Sequence, residues 1–185
     1  MTWLVVSLLL TAAVMALVAP FRPGFIEQML TTPRFSIESL LGIIVCVAIA
    51  RAAFEMGIPD IRSEWRRARV ALGLLAIWLA LFVIATVAPV LPPSMLGKRG
   101  LCNLEVIIYA IPLTTAGILL IRRMMPLRTS MTGAWTGFAA GLIPAYLMQL
   151  ACMHEPWHNI IYHLLPTVGA ALIGALLGRL LLENK

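Results

Sequence analysis

Charge is what this 185-residue chain has least of: 12% of its residues are Asp, Glu, Lys or Arg, and only 8 of them are acidic. Soluble domains carry about a quarter charged residues, so an ordinary water-facing globular surface is excluded. Strands alternating between apolar and polar residues are also missing, which excludes a barrel of the outer-membrane kind. There is no CxxC, no HExxH and no zinc-type spacing, so the common dithiol, metalloprotease and zinc-finger modules are excluded. No ionisable residue falls near the middle of an apolar run, which counts against a transporter that carries its substrate through the midplane.

What remains is hydrophobic. Apolar residues make up 61% of the chain, and mean hydropathy is +0.96. Runs long enough to cross a hydrocarbon core of about 30 Å recur between basic or Pro/Gly-rich breaks. They predict helical spans at 3–19, 37–54, 70–91, 104–121, 131–151 and 160–182. The expected fold is an all-α membrane protein, a six-transmembrane-helix bundle forming a single domain over residues 1–185, without a soluble domain. The first run has no basic n-region, and Val18-Ala19-Pro20 makes a poor cleavage site, so it reads as a retained anchor.

Positive charge sets the expected orientation. With both termini cytoplasmic, the inner ends hold Arg51, Arg62, Arg66, Arg67, Arg69, Arg122, Arg123, Arg128, Arg179 and Lys185. The outer side keeps only Arg22, Arg34, Lys98 and Arg99. This is the positive-inside pattern over short loops. The net charge of +6 therefore reads as topology and contact with the lipid bilayer, with no direct binding of nucleic acid.

Two spans carry small residues every fourth position: Gly133, Gly137 and Gly141 in one, Ala170, Gly174 and Gly178 in the other. Such stripes let helix backbones approach closely where lipid removes the hydrophobic drive for association. Pro112, Pro144 and Pro166 fall inside spans and are expected to kink them. Near one span end, Arg51 and Glu55 are four residues apart and positioned to pair.

Cys102 and Cys152 lie symmetrically about the basic turn Arg122-Arg123-Met124-Met125-Pro126-Leu127-Arg128. At about 1.5 Å per residue, two antiparallel helices from that turn bring both thiols to one membrane surface. Under the charge-derived orientation that surface is the outer one, which is an oxidising compartment if the host is a Gram-negative bacterium. All three histidines fall between His154 and His163, close to Cys152. Thiolate and imidazole together suit soft or borderline metals, which makes Glu105, His154, Glu155, His158 and also His163 candidate ligands. Cys46, midway along a span, reads as a packing residue. The stretch Ser63-Glu64-Trp65-Arg66-Arg67-Ala68-Arg69 has the pattern of a short basic amphipathic helix, with Trp65, Arg66, Arg67 and Arg69 as a candidate cytoplasmic docking surface.

The order of landmarks resembles the NrsF-type multipass membrane anti-sigma factors of proteobacteria. It runs from Pro33-Arg34-Phe35 with Glu38, through Gly57-Ile58-Pro59, to Cys102, Pro112, Arg122-Arg123 and Pro126. The Gly133–Gly141 stripe follows, then Cys152, Trp157, Tyr162 and the terminal Gly174-Ala175-Leu176-Leu177-Gly178-Arg179. The resemblance implies a non-enzymatic inner-membrane protein that sequesters an extracytoplasmic-function sigma factor and releases it under stress. It further implies that Cys102 and Cys152 sense heavy-metal or oxidative signals, with transient heavy-metal binding and no resident cofactor. Members carry a polar cytoplasmic arm ahead of the first span, whereas here the first span begins at Trp3. Sigma binding therefore either falls on the 55–69 loop, uses an arm encoded upstream, or has been lost. A membrane thiol oxidoreductase and a small metal permease are the competing expectations.

Overall fold

A chain with few polar side chains has to satisfy its backbone N–H and C=O groups internally, and helices form along each apolar run. The computed structural model describes residues 2–59, 64–89 and 94–183, omitting the side chains of 64–67. Arg62, Lys185 and the side chains of Trp65, Arg66 and Arg67 thus lie outside the described residues. The elements are α1 (Thr2–Val18), α2 (Phe25–Thr31), α3 (Pro33–Glu55), α4 (Glu64–Val87), α5 (Cys102–Ile121), α6 (Thr129–Ala151), α7 (Pro156–His158) and α8 (Leu165–Leu182). A 3-10 turn, Arg122–Met124, closes α5, and a π turn, Asn159–Leu164, joins α7 to α8. No strand occurs among the described residues.

Each of the six expected spans falls on a helix, the end of the 70–91 span lying outside the described residues, and among the described residues four helices are both long and apolar enough to cross a bilayer. They are Pro33–Glu55, Ala68–Val87, Cys102–Met124 and Pro156–Leu182. The other two differ for separate reasons. Helix α1 is apolar but only 17 residues long. Helix α6 has 23 residues but is rich in Gly, Ala and Thr. It is the central helix, packed against α1, α3, α5 and α8, and every residue from Ala139 to Cys152 is buried. Other helices of the chain surround it, so high hydropathy is not required of it.

The closest helix pair is α6 with α8. A Cβ on Gly133 would overlap the Gly174 carbonyl oxygen and reach 2.7 Å from the Gly178 Cα. At Gly137 it would overlap the Ala170 carbonyl oxygen, and at Gly141 it would stand 2.9 Å from the Ala170 Cβ. The two backbones therefore touch along the whole stripe, and dispersion between the closely packed atoms holds them.

Helices α3 and α4 are tied at one end by polar bonds. Trp78 Nε1 donates to the Glu38 carbonyl at 2.9 Å. Arg34 binds the Glu38 carboxylate at 3.1 Å and donates to the Ala88 and Leu81 carbonyls at 2.6 and 3.1 Å. Arg51 and Glu55 pair at 2.8 Å near the other end of α3. Cys46 is buried, with its thiol 3.6 Å from the Leu142 carbonyl.

The prolines act in two ways. Pro112 and Pro144 lie inside α5 and α6. Pro166 sits in the first turn of α8, directly after the π turn. A proline ring clashes with the carbonyl four residues back, here that of Tyr162, and removes one backbone donor. Widening the preceding turn to π geometry relieves that clash.

Candidate functional site: a thiol–imidazole cluster

Helix α6 ends at Ala151 and is capped by Cys152, whose extended backbone (φ −95°, ψ 177°) turns the chain away while its N–H still bonds the Met148 carbonyl. Helix α5 begins at Cys102. Antiparallel packing of the two helices brings these termini together, and the sulfurs stand 3.2 Å apart as free thiols. Both are buried. Cys102 Sγ also lies 3.3 Å from the Arg99 carbonyl.

Two arginines hold the loops over this end. Arg22 is 2% exposed; its Nη1 donates to the Cys152 carbonyl at 3.2 Å, and its guanidinium lies 5.3 Å from the Phe35 ring centre. Gly97 (φ +83°) fits against it, since a Cβ there would come 3.1 Å from the Arg22 side chain. Arg99 pairs with Glu105 at 2.9 Å and donates to the Ala19 carbonyl at 2.7 Å. Sequence reading saw these arginines only as outer charges; their burial depends on loops distant in sequence, and no local signal marks it.

The imidazoles divide. His158 Nε2 lies 3.5 Å from Cys152 Sγ, and its ring stacks on Tyr162 with centres 4.7 Å apart. His163, at the end of the π turn, is 1% exposed and stands edge-on to His158, ring centres 5.0 Å apart. Neither ring nitrogen of His163 meets hydrogen-bond geometry, although the ring is close enough to Cys152 to act on its charge. One ligand atom from each of Cys102, Cys152, His158 and His163 lies within 4.8 Å of all the others.

The remaining candidates are engaged elsewhere. The Glu105 carboxylate takes Arg99. Glu155 caps α7, accepting from the Trp157 N–H at 3.0 Å and from the His158 N–H. His154 stands edge-on to Phe35 at 5.4 Å, in a cleft with Arg34, Glu38 and Ala85. Burial lowers the His154 pKa to about 4, with help from Arg22 and Arg34, so this ring is neutral at physiological pH. Of the candidate docking residues, Arg69 is exposed at the start of α4.

Electrostatics make the two sulfurs unequal. The hydrogen bond from Cys102 holds the Cys152 thiol well below the usual range against the opposing effect of burial, and His163 lowers it further. Burial lowers the Arg22 pKa, with the Cys152 charge opposing that shift. A cavity of about 400 Å³ opens onto the cluster, lined by Lys98, Arg99, Cys102, Glu155, His158 and Tyr162 among others.

Sequence spacing hid the pairing of His158 with His163. On an α-helix, residues five apart lie about 140° round from each other. In a π turn, with its i→i+5 hydrogen bonds, they come side by side.

Fold and site together define an all-helical bundle with four helices suited to a bilayer and a thiol–imidazole cluster at one end. The chain belongs to the NrsF family, described as negative regulator of sigma F, whose family model matches residues 1–183. No curated protein and no solved structure matches the chain.

Proposed function

We propose that this negative regulator is a six-span inner-membrane protein with both termini cytoplasmic. It holds an extracytoplasmic-function sigma factor at the cytoplasmic face and releases it when heavy metal or oxidation acts on Cys102 and Cys152 at the periplasmic face. The carrying observation is the 3.2 Å approach of two sulfurs fifty residues apart in sequence. The charge distribution supports the orientation, because Arg22 and Arg99 gather round the sulfurs while Arg51, Arg122 and Arg123 lie toward the other end.

A local change propagates only if the bundle has two arrangements with different affinities for the partner. Cys102 begins α5 and Cys152 caps α6, so drawing the sulfurs together shifts those two helices against each other. Toward the other end, Trp3, Leu4, Ala50, Phe54, Ile58 and Met124 line an apolar groove of about 340 Å³. The groove is built from α1, α3 and the turn after α5, so its shape follows the helix arrangement.

The test is a strain in which both cysteines are serine. The expected result is loss of sigma-dependent transcription in response to cadmium or an oxidant, with basal repression kept. An unaltered response removes the cysteines from the mechanism.

A further inference from the structure

We propose that Cys102, Cys152, His158 and His163 form one four-ligand site for a borderline divalent cation of the Zn²⁺ and Cd²⁺ type. The inference rests on the sensing reading above for its biological meaning, and names both the ligand class and two further residues of that site.

Geometry comes first. A tetrahedral zinc ion with Zn–S of about 2.3 Å and Zn–N of about 2.0–2.1 Å sets its ligand sulfurs about 3.8 Å apart and sulfur to nitrogen about 3.5 Å. The Cys152–His158 separation is 3.5 Å. The sulfurs, at 3.2 Å, need to open by about 0.6 Å to reach that spacing. His163 is 1% exposed, and neither of its ring nitrogens meets hydrogen-bond geometry with a protein partner. A buried imidazole without a hydrogen bond is unfavourable unless something satisfies it, and a cation beside two sulfurs does so.

Chemistry then narrows the ion. Two sulfurs and two nitrogens at tetrahedral spacing are the donor set of zinc-type ions, whereas hard ions such as Mg²⁺ and Ca²⁺ take oxygen. Two thiolates with two neutral imidazoles carry a charge of −2, which a divalent cation cancels in a buried place. The nearby carboxylates are spent on Arg99 and on the α7 cap, leaving the four S and N donors to the ion. Tyr162 stacks on His158 and fixes one imidazole plane. The cavity lined by Cys102 and His158 is the path in.

The π turn is the structural device that makes this set. It places His158 and His163 on one side and leads straight into α8, whose glycines lie against α6. A bound ion thus joins the start of α5, the end of α6 and the approach to α8.

The experiment uses the full chain in detergent, stripped of metal under reducing conditions and titrated with Co²⁺, then Zn²⁺. The expected result is one Co²⁺ per chain, thiolate-to-cobalt charge-transfer absorption, the intense visible bands of tetrahedral cobalt, and their loss on adding one equivalent of Zn²⁺. His158→Ala and His163→Ala each weaken Zn²⁺ binding by more than tenfold, while His154→Ala leaves it unchanged. Faint octahedral-type bands, or histidine variants with unaltered affinity, overturn the site. Where a variant fails to fold, X-ray absorption of the zinc-loaded natural sequence decides: two sulfur and two imidazole neighbours support the site, and two sulfurs with oxygens overturn it. Zinc bound through all four residues without sigma release leaves the site standing and overturns the sensing reading. Cysteine-dependent induction without histidine-dependent binding does the reverse.

Discussion

The Arg22 guanidinium reaches across 130 residues of sequence to donate to the Cys152 carbonyl at 3.2 Å. It therefore fixes the backbone of one sulfur from a loop that contributes no ligand. Two of its nitrogens, Nε and Nη2, are buried without partners, so this position carries a desolvation cost that its contacts only partly offset.

Replacing Arg22 with alanine removes that bond and the packing on Phe35, for a loss of about 1–3 kcal/mol. The thermal midpoint in detergent falls, and Cys152 alkylates faster than in the natural sequence. Alkylation followed by mass spectrometry reads the second effect, and unchanged rates would mean that Arg22 does not order the Cys152 loop.

Glycines in α6 and in α4 are expected to respond oppositely to the same change. Gly137→Ala puts a methyl group into the Ala170 carbonyl and destabilises the α6–α8 contact by about 1–3 kcal/mol. Gly73→Ala in α4 meets no atom within 4 Å. It is neutral, or stabilising by up to about 1 kcal/mol through helix propensity. Thermal unfolding of the two variants side by side measures the difference.

Arg34 and Glu38 form a test of pairing. Glu38 is 2% exposed and takes Arg34 at 3.1 Å. Arg34→Leu leaves a buried carboxylate unpaired and costs about 3–5 kcal/mol, whereas Arg34→Leu with Glu38→Leu costs less than the single change. Unfolding of the two variants in parallel checks the sign of the coupling.

Pro166 makes a prediction about the π turn. Pro166→Ala restores a backbone donor and removes the ring that opposes α geometry, so the turn tightens and His163 rotates away from His158. Zinc affinity falls while helical circular dichroism holds or rises. Equal affinity in the cobalt titration would show that packing alone, without the proline, keeps the turn wide.

Much of the architecture is readable along the chain. Apolar runs give the helices because backbone hydrogen bonding inside an apolar segment is a local requirement. The small-residue stripes at Gly133–Gly141 and Ala170–Gly178 mark a close approach because the missing side chains are themselves the evidence of space. The symmetric placing of Cys102 and Cys152 about one turn brings them together, since an antiparallel hairpin sets residues equidistant from its turn at one level.

The surroundings of the sulfurs follow from packing instead. Glu105, His154 and Glu155 are as near in sequence as His158. Yet a buried arginine, a phenylalanine on α3 and an exposed helix N-terminus claim them. His163 joins through a π turn whose extra residue no α-helical spacing anticipates. Helicity, apolar length suited to a bilayer and the pairing of thiols are all written along the chain, because those properties belong to segments. The tertiary structure alone decided which imidazoles stand beside the thiols, because that depends on partners that meet only when the helices pack.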